Sequence, residues 1–339
     1  MKNLKSGFVS IIGRPNVGKS TLLNAILDFK VAIISDKAGT TRNIIQGIYN
    51  DEHSQIIFLD TPGITKPKNK LGKILNKESY AMMQDVDAIL LVVDAASGLG
   101  KGDKYILENL KNNNIPVILV LNKIDQLKRE QIMESIIAYK DLYPFCEIVP
   151  VSALKKDNME RLLEVIKKYL SGNVRYFDED IVTSSPMSFM ASELVREKLL
   201  NATIEEVPHA LTCVTTSFEE KKDIANINVD IIVDRESIKK IVIGKGGERL
   251  KLVGSEARKE LEKMLGKKVY LELYVKTIRN WKEKQAFLKE LGFDDKKIEI
   301  IDRKNLDNNG IGNSMAIILT LGIIIVILII IIAFSLLKK

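Results

Sequence analysis

Gly13-Arg14-Pro15-Asn16-Val17-Gly18-Lys19-Ser20 sets two glycines, a lysine and a hydroxyl at the spacing G-x-x-x-x-G-K-[ST]. A loop of this kind turns its backbone N–H groups inward around phosphates, while Lys19 reaches the terminal phosphates and the Ser20 hydroxyl meets Mg²⁺. Thr21 follows at the start of the next element. The chemistry needs a strand before the loop and a helix after it. Residues 8–12 form an apolar, β-rich run and residues 21–27 a helical pattern, so both supports are present.

Further along, Asp36-Lys37-Ala38-Gly39-Thr40-Thr41-Arg42 is polar and without helix or strand periodicity, the character of a switch loop. A threonine there would complete the Mg²⁺ shell when a γ-phosphate is bound, and Thr41 is favoured over Thr40. Two strands at 44–49 and 55–59 then deliver Asp60-Thr61-Pro62-Gly63. Asp60 at a strand end suits a Mg²⁺-linked water, and the Gly63 N–H can face the γ-phosphate. The metal set read from the sequence is Ser20, Thr41 and Asp60. Ile64 follows, a side chain that cannot orient an attacking water. Asn16 offers an alternative: its side-chain oxygen could hold a monovalent cation such as K⁺ beside the phosphates and spread transition-state charge. Shaping the loop is the competing role for Asn16. Asn16, Lys19, Thr41 and Gly63 are therefore the catalytic candidates.

The base is read from the next motif. An apolar strand at 116–121 leads into Asn122-Lys123-Ile124-Asp125. The Asp125 carboxylate offers two acceptors to the paired N1–H and N2–H₂ donors of guanine, which adenine lacks. Asn122 would brace the loop, and the aliphatic stem of Lys123 would cover the base plane. After a strand at 147–151, Ser152-Ala153-Leu154 supplies a short loop whose backbone N–H can meet the guanine oxygen. Helices are expected at 19–27, 71–84, 103–112, 128–143 and 157–171. Alternating with the strands, they make an α/β domain, a mostly parallel sheet flanked by helices, with the nucleotide at the carboxyl strand ends.

At 339 residues the chain exceeds one typical domain. Cys146 and Cys213 match no metal or redox spacing, and His53 and His209 stand apart from any catalytic constellation. The first residues resemble no secretory signal, so the folded part is expected in the cytoplasm. Residues 172–186 read as a linker, rich in Gly, Asn, Asp, Ser and Pro. Beyond them the order is helix (192–201), strand (210–218), strand (224–233), short helix (237–241), Gly244-Lys245-Gly246-Gly247, long helix (248–265), strand (269–275) and helix (279–291). A G-x-x-G between two helices marks a KH domain, whose loop clamps a nucleic-acid backbone, with Ile241 and Ile243 as a floor under unstacked bases. From residue 236 to 289 there are 15 Lys or Arg against 7 Asp or Glu, an excess of +8 set against +7 for the whole chain. The positive charge is concentrated around this loop, as RNA binding requires.

Taken together, the P-loop with Asn16, Thr40-Thr41-Arg42, Asp60-Thr61-Pro62-Gly63 with its following hydrophobic residue, Asn122-Lys123-Ile124-Asp125 and Val242-Ile243-Gly244-Lys245-Gly246-Gly247 resemble the Era GTPases of bacterial ribosome assembly. The resemblance runs from about residue 7 to residue 293. It implies a GTP/GDP switch whose type II KH domain binds the 3′ end of 16S rRNA and assists maturation of the 30S subunit, with links to the membrane and the cell cycle. A monomer is expected. The domain boundaries are 1–172 for the GTP-binding domain, 173–190 for the linker, 191–293 for the KH domain, 294–314 for a polar linker and 315–337 for a membrane segment.

That last segment departs from the family pattern. Residues 315–337 run 23 positions without a charge, and a helix of that length spans roughly 35 Å, enough for a bilayer core of about 30 Å. Lys296, Lys297, Arg303 and Lys304 outnumber Lys338 and Lys339, which predicts a cytoplasmic body anchored by its tail to the cell membrane. Two other readings stay open at this level: an RNA clamp with a nearly inert nucleotide site, which Ile64 permits, and a membrane-anchored signalling GTPase.

Overall fold

The computed structural model describes residues 4–37 and 39–293. Residues 294–314 and the expected membrane segment 315–337 lie outside the described residues. Among the described residues no helix is long and apolar enough to cross a membrane.

Six strands build the first sheet: β1 (Lys5–Ile12), β2 (Ile45–Asn50), β3 (Ser54–Asp60), β4 (Ala88–Asp94), β5 (Val117–Asn122) and β6 (Glu147–Pro150), in the order β2-β3-β1-β4-β5-β6. Only the β2–β3 pair is antiparallel, since a tight turn at residues 51–53 joins it. The parallel pairs need crossovers, and four helices lie between the strands: α1 (Lys19–Leu27), α2 (Lys70–Ala81), α3 (Lys101–Leu110) and α4 (Arg129–Lys140), while α5 (Met159–Lys167) follows β6. Covered on both faces, β4 and β5 read as continuous apolar runs, and nearly all their side chains are buried. Val9, Ile11, Phe58, Leu90 and Val120 pack with Leu22 and Leu23 of α1 and Leu162 and Ile166 of α5 into the main core. α2 begins where Asn69 accepts the Gly72 N–H at 2.8 Å, a cap that fixes the end of the segment after Gly63.

The second domain starts with α6 (Met187–Ala202), four residues earlier than the expected boundary. Its linker is also shorter than read. The Gln55 side chain on β3 receives the Tyr176 and Phe177 N–H groups at 2.6 and 3.1 Å, and Thr183 bridges to Gly47 on β2. Residues 173–186 thus run along the sheet edge. After a short α7 (Val207–Ala210), absent from the sequence reading, come β7 (Leu211–Glu220), β8 (Ile224–Val233), α8 (Glu236–Ile243), the 3₁₀ turn Lys245–Gly247, α9 (Glu248–Leu265) and β9 (Lys268–Thr277). The sheet order is β7-β8-β9, with β7–β8 antiparallel and β8–β9 parallel across the α8–α9 crossover. This is the α+β, type II KH arrangement. Leu194, Val195, Ile227, Val229, Val242 and Val253 belong to its own core.

The helix expected at 279–291 is interrupted. It divides into a 3₁₀ turn, Trp281–Glu283, and α10 (Gln285–Glu290), because Asn280 takes φ 51° and Lys284 is extended. The cause is Trp281, fully buried, with its indole N–H on the Ala210 carbonyl at 3.1 Å. Trp281, Leu288 and Phe293 pack against Leu71 and Ile74 of α2, so an apolar cluster joins the two sheets' domains.

Candidate functional site

The P-loop occupies residues 13–18 between β1 and α1, at the carboxyl end of the parallel strands. Gly18 has φ +94°, and a Cβ there would come within 2.3 Å of Asn122 Nδ2, so glycine alone lets the base-reading loop lie on the phosphate loop. The amide of Asn122 holds the contact by donating to the Val17 carbonyl at 2.8 Å. Lys19 is buried and its ammonium donates to the Gly13 and Arg14 carbonyls at 3.3 and 3.0 Å. Arg14 serves the cradle through its backbone, because its guanidinium turns away to Asp103 on α3 at 2.8 Å. Gly63 lies against Pro15, where any Cβ would sit 2.7 Å from the Pro15 nitrogen. Pro15, Asn16, Ser20, Thr21 and Thr41 line one cavity at this end.

Three oxygens converge beside it. Ser20 Oγ donates to Asp60 Oδ2 at 2.6 Å and lies 2.9 Å from Thr41 Oγ1. Thr40 instead donates to the Lys37 carbonyl at 2.6 Å. Asp60 Oδ1 is buried without a hydrogen-bond partner. Burial pushes the Asp60 carboxyl up to about 6, against the pull of Lys19 and Ser20. Burial likewise draws the Lys19 ammonium down to about 8, opposed by Asp60. A hard, oxygen-rich set with an orphaned carboxylate oxygen fits Mg²⁺, and the desolvated ammonium fits phosphate. Thr61 and Pro62 shape the turn: Thr61 Oγ1 donates to the Ile11 carbonyl at 2.8 Å, and the Pro62 carbonyl accepts from Ser79 of α2 at 3.0 Å. Ile64 is 1% exposed and packs inward while its N–H meets the Gly13 carbonyl at 3.1 Å. Asn16 has φ 64°, and its amide nitrogen donates to the Asp36 carbonyl in the switch loop at 2.6 Å.

At the base end, β5 ends on buried Asn122, whose Oδ1 accepts the Ala153 N–H at 3.0 Å. Asn122 thereby ties three loops together. The Ser152 hydroxyl donates to Asp125 Oδ1 at 2.6 Å and orients the carboxylate, a side-chain role that the backbone reading of Ser152 missed. Lys123 adopts φ 67° and its ammonium is anchored by Asp94 Oδ2 at 2.6 Å, which leaves the stem to cover a ring. Asp94, the last residue of β4, was also missed; an acidic strand end one strand over from Lys123 was the available signal. Leu154 is exposed at the rim.

The G-x-x-G loop is a second site. Gly244, Gly246 and Gly247 all have positive φ, and a Cβ at Gly246 or Gly247 would meet nothing within 4 Å, so this backbone is open to a ligand. Lys245 between them is exposed. Beside the loop runs a groove of about 470 Å³ between α9 and β9, floored by Leu250, Leu271 and Leu273 and edged by Lys251 and Arg258. Ile241 is exposed and Ile243 half-buried, and neither lines this groove. Gly247, Leu250, Lys251, Gly254, Ser255 and Arg258 recur at the helical three-and-four spacing, a stripe the sequence already carried.

A family model described as 50S ribosome-binding GTPase matches residues 8–123, and a KH domain model matches residues 206–282. Aquifex aeolicus Era, solved as a point variant bound to GDP·AlF₄⁻, is 42% identical to this chain, over 86% of this chain and 100% of that one, with a TM-score of 0.83. The chain belongs to the Era family. A second solved structure, Era in complex with MgGDPNP and nucleotides 1506–1542 of 16S ribosomal RNA, matches with the same identity and TM-score, over 86% of this chain and 99% of that one. The chain is a GTPase, with a KH domain behind the nucleotide site.

In this Era-family chain the KH domain grips the switch loop directly. Arg196 of α6 is buried, pairs with Glu193 at 2.6 Å and donates to the Thr40 carbonyl. The next residue, Glu197, one turn on from Glu193, accepts the Ile34 N–H at 2.9 Å and the Lys30 ammonium at 2.6 Å. Arg42 is buried as well, donating to the Leu211 carbonyl at 2.7 Å. Residues 34, 40 and 42 of the switch region therefore rest on α6 and the start of β7.

Proposed function

We propose that this GTPase controls binding of its KH domain to the 3′ end region of 16S rRNA and thereby assists assembly of the 30S subunit. One observation carries the reading: a complete guanine-nucleotide site and an open G-x-x-G loop with its groove share one compact unit, in which the KH helix α6 holds the switch loop. The Era complex with 16S ribosomal RNA spans both domains and is the better guide to the RNA. The description 50S ribosome-binding belongs to a model that matches only residues 8–123 and none of the KH domain. In this reading Ser20, Thr41 and Asp60 hold Mg²⁺, which neutralises charge on the β- and γ-phosphates. Lys19 and the P-loop N–H groups bind the phosphates, the Gly63 N–H faces the γ-phosphate, and Asp125, Asn122, Lys123 and the 152–154 loop take the guanine. Gly244, Lys245, Gly246 and Gly247 clamp the RNA backbone. Crosslinking in cells tests the RNA: recovered fragments should come from the 3′ end of the small-subunit rRNA, and fragments from elsewhere would refute the assignment.

With Ile64 turned into the core, Asn16 is the group proposed to hold K⁺. Its amide nitrogen is engaged with Asp36, leaving the oxygen as the ligand atom. Faster hydrolysis in potassium than in sodium at equal ionic strength is expected; equal rates leave Asn16 only its loop-shaping role. The body is proposed to act as a monomer at the cytoplasmic face of the membrane, held by residues 315–337. Full-length protein should sediment with membranes and a chain ending at Asn305 should not.

A further inference from the structure

On its γ-phosphate side the nucleotide cavity adjoins a second one of about 480 Å³, and Pro15, Gly39 and Gly63 line both. Past that shared wall the lining turns cationic. Lys66 and Lys68 come from the segment after Gly63, Arg42 from the switch loop, and Lys282 and His209 from the KH domain; Glu206 is the carboxylate among them. Arg42, Lys66, Lys68 and Lys282 have no ion-pair partner among the described residues. Arg42 and Lys282 lie over the same Trp281 ring, at 5.6 and 5.8 Å from its centre. Burial and then Arg42 hold the Lys282 ammonium below its ordinary range. Burial holds the His209 imidazole low too; Glu206 opposes this, while Lys282, Arg42 and Lys68 reinforce it. Crowded, partly desolvated cations are costly to one another until an anion joins them.

We propose that this cavity binds inorganic phosphate and is the staging site through which the hydrolysis product leaves. Attack by water breaks the bond between the γ-phosphorus and the bridging oxygen, GDP keeps that oxygen, and the phosphorus departs as orthophosphate with release of a proton at neutral pH. The product then stands between Pro15 and Gly63, one wall from the cations. The ammonium groups of Lys66, Lys68 and Lys282 and the guanidinium of Arg42 offer an oxyanion several charged donors at once. A phosphodiester of RNA has the same oxyanion chemistry, but continuity with the γ-phosphate position favours the released phosphate. The inference rests on GTP hydrolysis and is independent of which RNA the KH domain binds.

The chain has two histidines, which makes the test direct. Histidine ring resonances are followed by NMR against pH in the full chain with Mg²⁺ and GDP, with inorganic phosphate replacing chloride at constant ionic strength. The His209 midpoint is expected to rise saturably by about one unit. His53, in the exposed turn after β2, is the internal control and should stay fixed. Lys282→Gln should weaken the phosphate effect on His209 at least about threefold, as expected for loss of one charged donor. No movement of His209, equal movement of both histidines, or an undiminished effect in Lys282→Gln would overturn the proposal. So would a His209 midpoint that ignores phosphate and rises with a single-stranded oligoribonucleotide, which would assign these cations to RNA.

Discussion

In the proposed reading Asp125 chooses the base, and the Ser152 hydroxyl donates to its carboxylate at 2.6 Å. Replacing the carboxylate by an amide turns one acceptor into a donor facing the donors of guanine. Asp125→Asn should therefore weaken GTP and GDP by about 100-fold, roughly 3 kcal/mol for two charge-assisted hydrogen bonds. Xanthine nucleotides, which present a carbonyl where guanine has its amino group, should gain relative to guanine. Competition against a fluescently labelled GDP measures both, and an unchanged preference would remove Asp125 from the base site. Such residues were legible in the sequence because the chemistry fixes their type and spacing. Ser152's hydroxyl and Asp94 were not, since their roles arise from loops that meet only in the folded sheet. The Arg196 bond to Thr40 spans 156 residues and leaves no local pattern.

Helix α6 is one element through which the KH domain reaches the switch loop. Glu193, Arg196 and Glu197 are three and four residues apart and so share one face. Arg196→Gln leaves the Glu193 carboxylate buried and unpaired, at a cost of about 3 kcal/mol. The double variant Glu193→Gln/Arg196→Gln should recover most of that stability while still lacking the charged grip on Thr40. Denaturant unfolding followed by the fluorescence of Trp281, the sole tryptophan, reads the first effect, and nucleotide-dependent RNA affinity reads the second. A double variant with intact coupling would contradict the role given to α6. On α9, Arg258 edges the groove beside Leu271 and Leu273. Arg258→Gln should lower RNA affinity evenly across sequences and reduce the salt slope by about one unit. A sequence-selective loss would instead mean that Arg258 reads a base. Period and charge located these helices well, whereas the break at Asn280 and Lys284 was invisible locally. It is imposed by burial of Trp281 against Ala210, a tertiary demand that overrides helix preference.

At the scale of the whole molecule, both parts of the switch touch the KH domain. The switch loop rests on α6 through Arg196 and Glu197, and α2, which follows Gly63, packs on Trp281 and Leu288. Two domains and their order could be read from the chain, because each has its own motifs and its own apolar pattern. Their mutual contact could not, since it rests on single buried side chains such as Arg42 and Trp281 rather than on any repeat. The segment 173–186 read as a free linker for the same reason: its polar composition hides hydrogen bonds to Gln55 and Thr183's place beside β2. With both switch segments held by the KH domain, a change at the γ-phosphate is expected to alter the RNA groove's setting. The most direct measurement is the affinity of the full chain for a single-stranded oligoribonucleotide from the 3′ end of 16S rRNA, with GDP and with a non-hydrolysable GTP analogue at fixed salt. The account predicts affinities that differ by about 10-fold, within the usual range of coupling between sites; equal affinities in the two states would contradict it.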